Sequence, residues 1–207
     1  MKKLITLCLF ISSFAAFSQS AYEKGMQKAF ALWGEGKNKQ ASQLFERISK
    51  AEKENWIPNY YVAQLEIQSA FNIKDEATLK ATLDKAQGYI DTANSLSENN
   101  PELMITQALL HTAYINFDGQ KYGMTMSGKN SQLYKKALEL APNNPRVILG
   151  YAEWNMGAAR FFGKSTKPYC DQVIKAIEVG KAEKLTEKFY PRFQVKRAQA
   201  VLKQCQG

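Results

Sequence analysis

Four prolines divide this chain into segments of nearly equal length. Pro58, Pro101 and Pro145 lie 43 and 44 residues apart, and Pro191 follows 46 later. Two of them close matching phrases, Asn99-Asn100-Pro101 and Asn143-Asn144-Pro145. Proline suits the first turn of a helix, where its missing N–H would have no partner, and a preceding asparagine caps the next amides. Each site therefore predicts a helix start, as does Pro168, and Pro142 serves as a terminator. A fixed period of this size restricts the chain to stacked helical units, because one unit cannot bury its apolar face alone.

Apolar residues between these marks recur at helical spacing. Tyr22, Met26, Ala29, Phe30 and Trp33 do so, then Ala41, Leu44, Phe45 and Ile48, then Leu79, Leu83, Ala86, Ile90 and Ala93, and no stretch alternates with period two. The predicted fold class is all-α: four helix pairs over 21–34 with 38–53, 58–71 with 75–97, 101–117 with 130–141 and 145–160 with 168–180, then a closing helix over 191–205.

The second helices share one spacing, a small residue followed four and seven places later by larger apolar ones. It reads Ala41-Phe45-Ile48, Ala86-Ile90-Ala93, Asn130-Tyr134-Ala137 and Cys170-Ile174-Ile177. Helical hairpins close only where one residue is small, and the larger ones fill the gap to the next hairpin. First helices carry a small residue at Ala29, Ala108, Ala152 and Ala198, with Leu65 the exception. This pattern resembles the tetratricopeptide family, most closely in Tyr134-Lys135-Lys136-Ala137-Leu138-Glu139-Leu140-Ala141-Pro142-Asn143. The resemblance implies an α-α superhelix, a solenoid with a C-terminal capping helix after Pro191. It departs from the family in its longer period and in first helices that lack most consensus aromatic and glycine marks.

The ends bear on compartment. Lys2 and Lys3 precede an apolar run from Leu4 and small residues ending at Ser18, the parts of a cleavable export signal. The run is about fourteen residues, too short to span a bilayer, and Leu7 before Cys8 does not suit lipid attachment. Residues 1–18 are expected to be removed near Ser18/Gln19, leaving 19–207 as one helical-repeat domain in the periplasm or secreted. Losing two lysines takes the formal charge from +9 to +7, a balance that favours anionic partners, although the charges are scattered. Export argues against nucleic acid as a partner, and no later stretch could span a membrane.

Reaction chemistry is sparse. His111 stands alone at a packing position, Gly34 and Gly36 belong to a hairpin turn, and no nucleophile elbow, phosphate-cradling loop or metal-ligand spacing occurs. No catalytic role, cofactor or metal is expected, so binding is the expected activity. Two surfaces are candidates. First helices of such an array line its concave face, which places Met26, Phe30, Trp33, Glu66, Leu109 and Glu153 there: an apolar groove with acidic marks, suited to a protein or peptide of some basic character. The links inside the pairs gather along one edge, where Tyr122, Met124 and Met126 of the 118–129 link meet Phe161 and Phe162 of the 161–167 link. Either set could equally complete the packing. The aromatic-glycine links also look like those of periplasmic helical-repeat components of TRAP-type transporters, which implies a solute-handling accessory with a small-molecule pocket at the links. A peptide-binding scaffold is the first expectation and that accessory the alternative. Cys170 and Cys205 fall near the same end of the stack, so an oxidising compartment permits a disulfide; equally, Cys170 could be a buried thiol facing its own first helix.

Overall fold

The computed structural model describes residues 21–206; residues 1–18, expected to be a signal, the expected Ser18/Gln19 break and Cys8 lie outside the described residues. Those described form α1 (21–34), α2 (Asn38–Ala51), α3 (Trp56–Ala70), α4 (Glu76–Leu96), α5 (Pro101–Phe117), α6 (Gly119–Leu140), α7 (Pro145–Phe161), α8 (Cys170–Ala182) and α9 (Val195–Gln206), with a short 3-10 turn at Lys167–Tyr169. Among the described residues there is no strand, and no helix is long and apolar enough to cross a membrane. The fold is all-α.

The periodic asparagines act as caps. Asn55, Asn100 and Asn144 accept from the amides of Ile57, Glu102 and Arg146 at the starts of α3, α5 and α7, occupying donors that a helix start otherwise leaves open. Helices pack as sequential pairs, α3 on α4, α5 on α6 and α7 on α8, while α3, α5, α7 and α9 also touch in succession. The small positions make this possible: Ala29, Ala41, Ala86, Ala108, Ala152 and Ala198 are fully buried. Ion pairs join successive odd-numbered helices: Arg146 bonds to Glu102 and Arg197 to Glu153. These two pairs link α5 to α7 and α7 to α9.

Three expectations need correction. Residues 118–129 are helix and not a link: the Asp118 side chain caps the Lys121 amide, and Tyr122 packs on Tyr114 with ring centroids 5.0 Å apart. That cap and contact offset the cost of Gly119, Gly123 and Gly128, each about 1 kcal/mol less favourable than alanine in a helix. Ile174, expected to fill the gap beyond α8, is 38% exposed, because none of the described helices covers that side of α8. Pro191 does not start a helix. It is buried within a non-helical segment, 183–194, that turns at 188–189, and α9 begins four residues later.

Phe193 in that segment packs into the α7–α8–α9 core. A methyl group on Gly180 would overlap its ring carbons, so Gly180→Ala is expected to destabilise by about 1–3 kcal/mol, the usual cost of overpacking. Thermal unfolding measures this. An unchanged midpoint would mean that Phe193 has room to move away.

Candidate functional site

The expected groove residues are largely used by the fold itself. Met26 is fully buried. Phe30 lies within 4.7 Å of Tyr61, 5.2 Å of Phe45 and 6.3 Å of Trp33, ring centroid to centroid. Glu66 accepts from Ser42 and pairs with Lys85 at 2.9 Å. Glu153 holds Arg197 through both carboxylate oxygens, and Leu109 packs half-buried against the α3–α4–α5 core.

The rest of that face receives the chain's own segment 183–194, which sequence reasoning did not anticipate. Glu183 takes both of its carboxylate contacts from Arg146 at 2.8 Å. The same guanidinium reaches Glu102 at 2.9 Å and lies over the Tyr190 ring. Burial is the largest influence on Glu102 and pushes its carboxyl up from the usual range, while Arg146 and Asn144 pull it down. Beyond this anchor, Tyr190 packs edge-on against Trp56. The segment's tip then reaches α1 and α3, where Tyr61 donates to the Phe189 carbonyl at 2.8 Å and Lys188 pairs with Glu23.

The edge residues divide. Tyr122 is buried and donates to Glu76 at 2.6 Å, so it belongs to the packing. Met126 is half-buried. Met124 is 94% exposed, and at about 100° per residue it points to the opposite side of α6 from Tyr122. Phe161 and Phe162, at the end of α7, are 75% and 69% exposed. Their rings touch edge to face at 5.1 Å, and Phe161 comes up to Gly119 at the start of α6. The turn below α6 and the link after α7 therefore do lie side by side, but only the two phenylalanines and Met124 offer exposed apolar surface there. Arg160, Lys164 and Lys167 beside them are exposed as well.

This aromatic pair has a rigid mounting. Cys170 and Cys205 are disulfide-bonded, with Cα atoms 5.7 Å apart, which ties the start of α8 to the end of α9. The Thr166 hydroxyl, within the link, donates to the Cys205 carbonyl. The link thus leaves α7 at Phe162 and is pinned again within a few residues.

Glu76 fixes the neighbouring part of α6. Lys121, Tyr122 and Lys80, in that order of influence, hold its carboxyl down at about 2, against an ordinary 4.5. A depressed carboxylate contributes stability above its unfolded value that is lost as pH falls through the folded one. Wild type is therefore expected to lose this contribution between about pH 4.5 and 2, and Glu76→Gln to lack it at all pH. Acid unfolding followed by circular dichroism would show the two curves converging at low pH; parallel curves would contradict the assignment.

His111 has a partner for each ring nitrogen, Gln107 at 3.2 Å and Asn130 at 2.8 Å, and burial lowers its affinity for a proton. It sits in a polar seam between α4, α5 and α6, where Gln107 also meets Gln87. Among the described residues no three His, Cys, Asp or Glu side chains converge as a metal would need. A separate open cleft of about 530 Å³ lies between α1 and α2, lined by Lys28, Arg47 and Lys50 over Leu32 and Leu44.

No family model matches the chain, and no curated protein does. Among solved structures it is similar to the HusA haemophore from Porphyromonas gingivalis, at 23% identity with a TM-score of 0.77, over 88% of this chain and 91% of that one. The two chains share a fold.

Proposed function

We propose that this chain is an exported, non-catalytic binding protein of tetratricopeptide-like architecture, which captures a flat apolar molecule bearing acidic groups at the Phe161–Phe162 edge. Haem is the leading ligand. The carrying observation is the exposed, mutually packed pair Phe161 and Phe162 on a link pinned by the Cys170–Cys205 bridge. Pairs of exposed aromatics are costly to leave in water and are retained where they meet a ligand. The cations Arg160, Lys164 and Lys167 suit carboxylates at the rim of such a molecule, as does the basic balance of the chain. The similarity to a protein named as a haemophore supports the ligand class. The peptide-scaffold reading has less support, because the chain's own segment 183–194 occupies part of the first-helix face.

On this reading capture rests on apolar contact and charge; both nitrogens of His111 are engaged and Cys170 and Cys205 are bridged, so none of the three is free to ligate iron. Titration of the chain with haemin, followed by its absorption band, is expected to saturate, and metal-free protoporphyrin is expected to bind with similar affinity. Phe161→Ser with Phe162→Ser should weaken both by about tenfold to a hundredfold, as expected from losing one to three kcal/mol of apolar contact. Met124→Ser removes an exposed thioether that could ligate iron and should leave both affinities within a few-fold. Unchanged affinity in the double variant would remove the edge as the site; binding of the iron form alone would overturn the proposed mode of capture.

A further inference from the structure

Segment 183–194 has a firm base and a weak tip. At its base Glu183 and Tyr190 both engage Arg146, a guanidinium that is largely buried and shared with fully buried Glu102. At its tip the polar contacts are one hydrogen bond, from Tyr61 to the Phe189 carbonyl, and the Lys188–Glu23 pair, whose lysine is 67% exposed. Exposed pairs of this kind contribute little. The Phe189 ring does the remaining work, edge-on to Tyr22 at 5.5 Å and stacked on Phe30 at 5.9 Å. Tyr61, Trp33 and Phe45 complete the aromatic cage around Phe30.

The tip is also strained. Phe189 has φ +62, in the left-handed region where an aromatic side chain is rarely found. Strain of this kind persists only where surrounding contacts hold it, and here they hold it weakly. Leaving the cage would relax the backbone at Phe189 without disturbing the Arg146 anchor.

We propose that segment 183–194 is a strap that acts as an intramolecular competitor: its tip plugs an aromatic site between α1 and α3, and that site accepts an aromatic ring next to a cation, presented on a tight turn as Lys188-Phe189 are, when the strap tip lifts. The chain's own Lys188-Phe189 defines the ligand chemistry, with Glu23 receiving the cation and the cage receiving the ring. This site is separate from the Phe161–Phe162 edge. A tethered tip competes at an effective concentration in the millimolar range, so the closed chain binds such ligands only weakly.

The test uses the chain from Gln19 to Gly207 and a synthetic peptide, Thr-Glu-Lys-Phe-Tyr-Pro-Arg, which reproduces residues 186–192. Phe189→Ala and Phe189→Gly each empty the cage, and the glycine variant also tolerates the positive φ. Both are expected to bind the peptide about tenfold more tightly than wild type, read by Trp33 fluorescence in a chain whose Trp56 and Trp154 are replaced by phenylalanine. The peptide with alanine for its phenylalanine should not bind, and Glu23→Gln should weaken binding of the intact one. Equal affinity of wild type and variants, or equal binding of the alanine peptide, overturns the proposal. Loss of the cooperative fold in both variants also overturns it, since the tip would then be a structural staple. Haemin titration of Phe189→Ala should match wild type, which keeps a failure here distinct from a failure at the edge.

Discussion

Replacing Arg146 by alanine is expected to cost about 3–5 kcal/mol of stability, because it strands a buried carboxylate. Glu102 is fully buried, Glu183 is largely so, and both take charge-assisted bonds from this one guanidinium at 2.8–2.9 Å. Without it the Glu102 carboxyl keeps only Asn144, at 2.6 Å, and burial then drives it toward the neutral form. The strap also loses its base. For a chain of this size the thermal midpoint should fall by about 10 °C or more. Arg146→Lys should recover only part of the loss, because an ammonium cannot serve two carboxylates with a planar fork. A neutral set, Arg146→Met with Glu102→Gln and Glu183→Gln, should be far more stable than Arg146→Ala alone, because it strands no charge. If the neutral set is no more stable than Arg146→Ala, the loss reflects packing of the arginine stem and the electrostatic account fails.

The elements that sequence made legible are those whose signals are local. Asn100-Pro101 and Asn144-Pro145 mark helix starts because cap and proline both act within one turn, and α5 and α7 begin at those prolines. The small residues at Ala41, Ala86 and Ala108 are legible for the same reason: helical spacing puts them on one face, and that face is buried. Pro191 carries a warning in its neighbour. Tyr190 precedes it where the other periodic prolines have a capping asparagine at or near the helix start, so no cap was available. The first half of α6 was hidden by three glycines, although Asp118 is the capping residue that begins it.

The candidate sites were harder to read, since they depend on partners distant in sequence. Nothing local to Phe189 indicates that it will meet Tyr61, 128 residues away, or that Lys188 will meet Glu23, 165 residues away. Phe30 and Trp33 therefore read as a free apolar stripe until segment 183–194 is seen against Phe30. Phe161 and Phe162 were identifiable because they follow the last apolar turn of α7 and stand directly before Gly163, whose φ of +65 ends the helix. A side chain just past a helix end has no neighbouring turn to cover it. Tyr122 is not distinguishable from them by sequence, because the groups it meets, Tyr114 and Glu76, lie on other helices.

Reduction of the Cys170–Cys205 bridge is the other large effect expected. The two residues are 35 apart, and a crosslink of that span restricts the unfolded chain by about 3–4 kcal/mol on the loop-entropy account. The crosslink joins α8 to α9, which pack on each other and on α7, and chain ends that are not tied down open first. Reduction should therefore lower the thermal midpoint by about 10 °C and raise proteolysis first in α8, α9 and the link between Phe162 and Tyr169. Because Thr166 of that link is bonded to the Cys205 carbonyl, the mounting of Phe161 and Phe162 should loosen with it, and haemin affinity should fall although neither ring has been altered. Cys170→Ser with Cys205→Ser should behave like the reduced chain and no longer respond to reductant. Two reactive thiols in the oxidised, denatured protein would show that the bridge does not form, and a reduced chain with unchanged haemin affinity would show that the aromatic pair holds its place without it.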